Sequence, residues 1–194
     1  MPVRLAAAVV PPLVAAAFAV AAQAPADVPL DPARTQAEFD VRVLWMFDVH
    51  GRFGTVNGSV RLDRAAQSAQ VVARIDARGV DMRRESHEEW VRSAEFFDVA
   101  NHPEIRFESE PFPLATLDLG GDIVGHLTVR GVTRETRWRL QASDCPGRAA
   151  LDCPVVADGS IERSEFGMTT RRGTLSDKVR LHFTIWAVPQ DGPS

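Results

Sequence analysis

Between Phe39 and Val49 every second residue is apolar: Phe39, Val41, Val43, Trp45, Phe47 and Val49, with Asp40, Arg42 and Asp48 among the residues between. A period of two puts alternate side chains on one face of an extended chain, so the run predicts a strand with one apolar face. Gly51, Gly54 and Gly58 then punctuate a turn and a second strand carrying Val60 and Leu62. The same beat returns over Val71 to Ala77, at Ile105 and Phe107, and over Ile123 to Val129. It continues at Thr136, Trp138 and Leu140, at Val155, Ala157 and Ile161, and over Val179 to Ile185. Short turns such as Gly120-Gly121 and Arg130-Gly131-Val132-Thr133 join these runs. About eight short strands in sequence predict an all-β protein, an antiparallel up-and-down barrel or a sandwich. The exception is Asp81 to Phe97, where Trp90, Val91 and Ala94 recur at helical offsets among Arg83, Arg84, Glu85, Glu88 and Glu89. It predicts a short helix or two outside the sheet or over one mouth.

With 194 residues, a net charge of −4 and 45% hydrophobic residues, the chain fits one globular domain. The basic side chains are arginine except for Lys178 and show no patch, which argues against a nucleic-acid partner. Residues 1–24 differ in kind. Arg4 is their only charge and Leu5 to Ala22 is nearly all Ala, Val, Leu and Phe. This composition predicts a secretory signal peptide, cleaved near residues 19–24, and a periplasmic or secreted protein. Pro11-Pro12 and the short span argue against a membrane anchor. Residues 25–37 read as an extended leader, 38–188 as a single domain and 189–194 as a tail. Export also makes a disulfide between Cys145 and Cys153 the preferred reading. A redox or metal pair is the alternative, but the spacing is not C-x-x-C and no histidine is close in sequence.

No catalytic motif is present: no G-x-S-x-G, P-loop, G-x-G-x-x-G or H-E-x-x-H. The five histidines are scattered, and tyrosine is absent. Asp48 and His50 are the sole candidates for chemistry or a metal, and a surface or turn pair is the simpler reading. We therefore expect no enzyme activity, no catalytic residues, no metal and no cofactor. Of the two arginine pairs, Arg83-Arg84 reads as solvated surface, whereas Arg171-Arg172 falls in a loop expected at a barrel end.

Four segments carry a family resemblance. Ser93-Ala94-Glu95-Phe96-Phe97-Asp98-Val99 followed by His102-Pro103-Glu104-Ile105-Arg106-Phe107 resembles the SxDFFD…PxxxF stretch of the YceI-like, polyisoprenoid-binding proteins. Gly125 to Thr133 resembles their GxLTxRGVT hairpin, Ile161 to Met168 their IxRxDFG, and Ser176 to Val179 their SDxV. The four occur in the family's order, and the resemblance is read as covering roughly residues 38–187. In two places the chain departs from the pattern: Trp90 stands where the family often has a histidine, and the family's longer first hairpin reads here as contracted to Asp48–Phe53.

The resemblance implies a lipocalin-like antiparallel barrel, exported and without enzymatic activity, that holds an isoprenoid chain in its pore. Physics agrees, because a barrel of about eight strands is either filled by side chains or left open for one slender ligand. Each five-carbon isoprene unit would contribute roughly 3 to 4 kcal/mol on burial before ordering costs. The expected partner is a quinone-like or polyprenyl lipid. Its pore wall would come from Phe39, Val41, Val43, Trp45, Ile75 and Phe107 in the first half of the domain. The second half would add Leu127, Val129, Trp138, Ile161, Phe183 and Ile185. Trp90, Phe96, Arg163, Phe166, Met168 and Arg172 are the expected mouth contacts. Transient membrane contact and a homodimer are compatible with this reading. The alternative is an interaction or stress-related scaffold whose interior is a filled core and whose docking surface is the Asp81–Phe97 segment.

Overall fold

The computed structural model describes residues 24–171 and 173–189. The expected signal peptide, apart from Ala24, lies outside the described residues, as do Arg172 and most of the expected C-terminal tail. Among the described residues twelve antiparallel strands form one sheet. They are β1 (Ala26–Pro29), β2 (Gln36–Val43), β3 (Phe47–Arg52), β4 (Val56–Asp63), β5 (Ser68–Asp76) and β6 (Asp81–Met82). There follow β7 (Glu104–Ser109), β8 (Phe112–Pro113), β9 (Gly121–Val129), β10 (Val132–Leu140), β11 (Val155–Glu162) and β12 (Leu175–Ile185). Among the described residues there are two α-helices, α1 (Glu85–Arg92) and α2 (Thr116–Leu119). The main path runs β4-β5-β7-β9-β10-β11-β12-β2-β3, with β1 beside β4, β6 beside β3 and β8 beside β5.

The two ends of that path are one piece of chain. At Phe53–Thr55 the backbone exchanges partners: Phe53 N donates to Ala37 O at 2.9 Å, and Gly54 N donates to Asp76 O at 3.1 Å. A Cβ at Gly54 would stand 2.8 Å from Asp76 O and 2.9 Å from Gly79 Cα, so only glycine fits this corner. β3 and β4 are thus one bent strand paired first to β2 and then to β5, which curls the sheet into a barrel. Discounting the short β1, β6 and β8 and counting β3–β4 once leaves the eight strands that the periodicity counts.

The opening alternation is not one strand. β2 ends at Val43, Leu44–Met46 form a hairpin loop and β3 runs back, with Val43 opposite Phe47 and Val41 opposite Val49. A three-residue loop preserves parity, so odd-numbered residues share a face whether the chain continues straight or reverses. Turn residues gave no warning, because the loop is Leu-Trp-Met, with Leu44 and Trp45 in the left-handed region at φ 49° and 62°. The turn expected near Gly51 is strand, and the stretch read as a contracted hairpin, Asp48–Phe53, is mostly β3. Gly51 faces the Phe39 ring across the ladder.

Part of the segment read as a leader belongs to the sheet. β1 pairs with β4 from Ala26 opposite Leu62 to Pro29 opposite Ser59, and Leu30 bridges to Ala187. Helical structure in Asp81–Phe97 is confined to α1. Its first turn carries Glu85 and Glu88 and its last turn Arg92, the order the helix dipole favours. Arg92 anchors it by donating to Arg78 O at 2.9 Å and to Val80 O. After α1, Ser93–Phe97 turn back and bury both phenylalanines.

Cys145 and Cys153 form a disulfide with Cα atoms 6.1 Å apart. Closing this short loop constrains the unfolded chain by roughly 2.6 kcal/mol in the entropy model. Replacing both cysteines by serine should therefore lower the unfolding free energy by about 2 to 3 kcal/mol, read from urea titrations.

Two carboxylates on the outside tie folding to pH. The Arg78 side chain holds Asp76 below the usual carboxylate range: Asp76 Oδ1 accepts from Arg78 Nε at 2.9 Å and from Arg78 N at 3.0 Å. At Asp158 partial burial pushes upward, but hydrogen bonds from His182 and Gln141 outweigh it and the net direction is down. A value lowered on folding means the stability these groups supply is complete above the unfolded value and is lost as pH falls through the folded one. From about pH 5 downward, Asp76→Asn and Asp158→Asn should each flatten the fall in unfolding free energy relative to wild type, measured by denaturant titration at each pH.

Candidate functional site

The inward faces of the strands enclose two apolar cavities, of about 360 and 310 Å³. The first is walled by Phe39 and Val41 from β2, Leu127 and Val129 from β9, and Val179 and Leu181 from β12. Trp90 and Val91 of α1, with Phe96 and Phe97 after it, roof this cavity. The second lies toward the other end, among Val60, Phe107, Trp138, Leu140 and Ile185, with Leu117 of α2 and Ala149–Leu151 of the disulfide loop against it. Ile75 and Phe183 line both. The two are halves of one apolar interior with these side chains between them.

Three glycines keep that interior from being filled. A Cβ at Gly51 would meet the Phe39 ring at 2.3 Å, one at Gly125 the Phe107 ring at 2.6 Å, and one at Gly159 the Trp138 ring at 2.4 Å. Each ring lies against bare backbone on a neighbouring strand, where a side chain would push it into the lumen. Trp138 is held further by edge contacts with Phe107 and Phe183, centroids 5.5 and 5.1 Å away, and its Nε1 donates to Thr136 Oγ1 at 3.0 Å. The result is a wall of rings around a partly open space.

Polar side chains are few: Ser86, His87, Arg171 and Thr174 lie at the rim of the first cavity, and Thr35 and Arg64 at the edge of the second. Arg171 stacks over Trp90 with 4.8 Å from its guanidinium carbon to the ring centroid. Trp90 Nε1 donates to Glu95 Oε2 at 3.0 Å, so the indole that replaces the family's frequent histidine turns its one donor to Glu95. From that rim an aromatic chain descends through Phe96 and Phe97 to Phe53 and Phe39, with successive centroids 4.7 to 5.9 Å apart.

Of the residues expected in the pore, Phe39, Val41, Val43, Leu127, Val129 and Ile161 line the first cavity, and Phe107, Trp138 and Ile185 the second. Ile75 and Phe183 line both, as noted. Trp45 lines neither: it stands at the tip of the β2–β3 hairpin and is 71% exposed. At the mouth, Trp90, Phe96 and Met168 line the first cavity. Phe166 is buried but does not line either cavity.

Arg163, expected at the mouth, is a structural clamp. It is wholly buried in a short 3₁₀ turn, Arg163–Phe166. Its Nε donates to Ser176 O at 3.0 Å, and its terminal nitrogens donate to Met168 O and, at 3.3 Å, to Leu175 O. Between Leu175 and Val179 the β12–β2 register shifts, and that irregularity presents the Leu175 and Ser176 carbonyls. Beside it Ser164 donates from its backbone nitrogen to Asp177 Oδ1 at 2.9 Å and from its hydroxyl to Asp177 Oδ2. The IxRxDFG-like and SDxV-like segments are thus two halves of one joint. Lining residues left out of the expected pore include Phe53, Phe97, Ser86 and Thr174, which lie in turns and on α1 and carry no strand period, and Leu175, Val179 and Leu181 on β12. Val179 and Leu181 carried the signal, since they share the alternating face of Phe183 and Ile185.

Asp48 and His50 face away from the interior. Asp48 pairs with Arg42 at 3.4 Å and Arg180 at 3.3 Å, while His50 lies 3.2 Å from Asp40 and 3.6 Å from Glu38. Among the described residues no group of three or more His, Cys, Asp or Glu side chains is arranged to hold a metal ion.

An antiparallel barrel with an apolar, partly open interior and polar groups at one rim is a lipocalin-like architecture. The model of the YceI-like domain matches residues 29–187, and the chain belongs to that family. It is 32% identical over 149 residues to Protein YceI of Salmonella arizonae, covering 73% of this chain and 75% of that protein. Among solved structures, Burkholderia cenocepacia BcnA superposes with a TM-score of 0.67 at 19% identity, covering 80% of this chain and 98% of that one. A polyisoprenoid binding domain from Saccharophagus degradans, implicated in plant cell wall breakdown, superposes at 0.60 with 17% identity, covering 84% and 98%.

Removing the clamp separates its role from that of a ligand contact. Arg163→Met should destabilise the fold by about 3 kcal/mol or more, because several buried carbonyls lose a charged donor together. The fraction that stays folded should bind an apolar probe as wild type does, checked by urea unfolding and by fluorescence titration.

Proposed function

We propose that this protein is an exported, non-enzymatic carrier or scavenger of an isoprenoid lipid, of the quinone or polyprenyl type, held in the barrel interior. The observation that carries the reading is the continuous apolar lining of two cavities that meet at Ile75 and Phe183, with polar groups only at the rim of the first cavity and at the edge of the second. A slender hydrocarbon gains about 0.8 kcal/mol per buried CH₂ in such a space and needs no polar partner along its length. A head group would rest at the rim, where Ser86, His87, Thr174 and Arg171 offer donors. The likeness to a polyisoprenoid binding domain supports this ligand class. Export to the periplasm or beyond is supported by the apolar N-terminal composition and by the disulfide, which persists in oxidising compartments.

Organic extraction and mass spectrometry of the protein purified after export tests the reading. An isoprenoid should be released, and delipidated protein should rebind one chain per barrel. If nothing isoprenoid co-purifies and none rebinds, the carrier reading fails. Ile75→Trp, which places a larger ring where the cavities meet, should retain short-chain quinones and lose long-chain ones by at least about tenfold in affinity.

A further inference from the structure

We propose that the tip of the β2–β3 hairpin is a bilayer-docking element that sets the open rim of the first cavity against anionic lipid head groups. The proposal rests on the carrier reading and adds the surface through which cargo would pass. Leu44, Trp45, Met46 and Phe47 are 49, 71, 75 and 59% exposed, and among the described residues they are four of the six large hydrophobic side chains left in solvent. Scattered exposed apolar residues are ordinary, but four in succession at one loop tip are not. Leu44 and Trp45 hold left-handed backbone that non-glycine residues seldom adopt. A tryptophan flanked by Leu, Met and Phe at a projecting tip has the composition that partitions into the membrane interface.

The tip is continuous with the cavity. Val43 and Val49, one step inside it, line the first cavity. Leu44 N donates to Thr174 O at 2.7 Å, which fastens the tip to the turn bearing Arg171. A groove alongside is lined by Phe47 and Met82 together with Arg83 and Arg84. Cargo leaving a bilayer at the tip would meet Val43 and Val49 on its way past the polar rim to the interior.

Charge favours a lipid surface over another occupant. Arg83 and Arg84 are exposed and make no ion pair among the described residues. Arg171 stands on the same rim. Nearby carboxylates are largely engaged: Asp48 by Arg42 and Arg180, Asp81 by Arg52 at 3.9 Å, and Glu88 by Arg92 at 3.1 Å. Glu85 and Glu89 remain exposed on α1, as does Glu95 beside Trp90. The chain as a whole is anionic at −4, so attraction to an anionic surface is local and falls off within a Debye length.

The test uses delipidated protein, purified after export, in flotation with mixed phosphatidylethanolamine and phosphatidylglycerol vesicles. Wild type should float with the vesicles. The pair Trp45→Ser and Met46→Ser should weaken partitioning by at least about tenfold, with the unfolding midpoint and quinone binding in detergent solution unchanged. Arg83→Ser with Arg84→Ser should weaken it on anionic vesicles only, and added salt should erase that difference. Wild type that does not float, or a tip variant that floats as wild type does, overturns the proposal. So does chromatography in which the tip variant turns a wild-type dimer into a monomer without changing vesicle binding. Failure of the carrier reading is separate: it appears as loss of quinone binding in detergent, whatever the vesicles show.

Discussion

An antiparallel sheet with no second layer to pack on can hide one whole face from water only if its two ends meet, and here they meet through a covalent bend. Phe53–Thr55 hand the chain from β2 to β5, and the bend passes so close to Asp76 and Gly79 that Gly54 cannot carry a side chain. Once it is in place, every inward residue of β2, β5, β7 and β9 to β12 faces the same enclosed space. A straight continuation would leave those faces exposed and the strand edges unpaired, a state prone to edge association. The cavity, its rim and the roof of α1 all follow from that closure.

What the enclosed space becomes is set by packing. Protein interiors ordinarily pack to crystal density. This one stays partly open because Phe39, Phe107 and Trp138 lie over glycines on adjacent strands, while Ile75 and Phe183 narrow the middle. The rings contribute burial and rigidity to the wall and leave the axis free. The same economy explains Arg163, whose charge is consumed by carbonyls at the irregular start of β12 and serves to hold that strand in place.

The interior therefore has an apolar body with its densest polar groups at one rim, and that asymmetry fits a ligand with a long hydrocarbon part and a small polar head. On the proposed reading, Arg171 on Trp90, with Ser86, His87 and Thr174 nearby, would orient that head group. Asp48 and His50, the residues whose types best suit catalysis, lie on the outer face among salt bridges. A site of this kind selects by shape and solubility.

The alternation of apolar residues was enough to say which side chains share a face, and so nearly the whole wall was legible: period two survives any hairpin whose loop has an odd number of residues. For the same reason it could not say where the chain reverses, and Trp45, in phase with the wall, sits at a tip in solvent. The lining from α1 and from turns, such as Phe53, Phe97 and Arg171, carries no period at all. An arginine in a loop motif looks the same in sequence whether it meets a ligand or three carbonyls; only the arrival of β12 beside it decided that for Arg163. The sequence by itself determined an all-β chain with one apolar face per strand, because that depends on local geometry. Tertiary structure alone decided that the face encloses open space, because that depends on which ring meets which glycine across strands far apart in the chain.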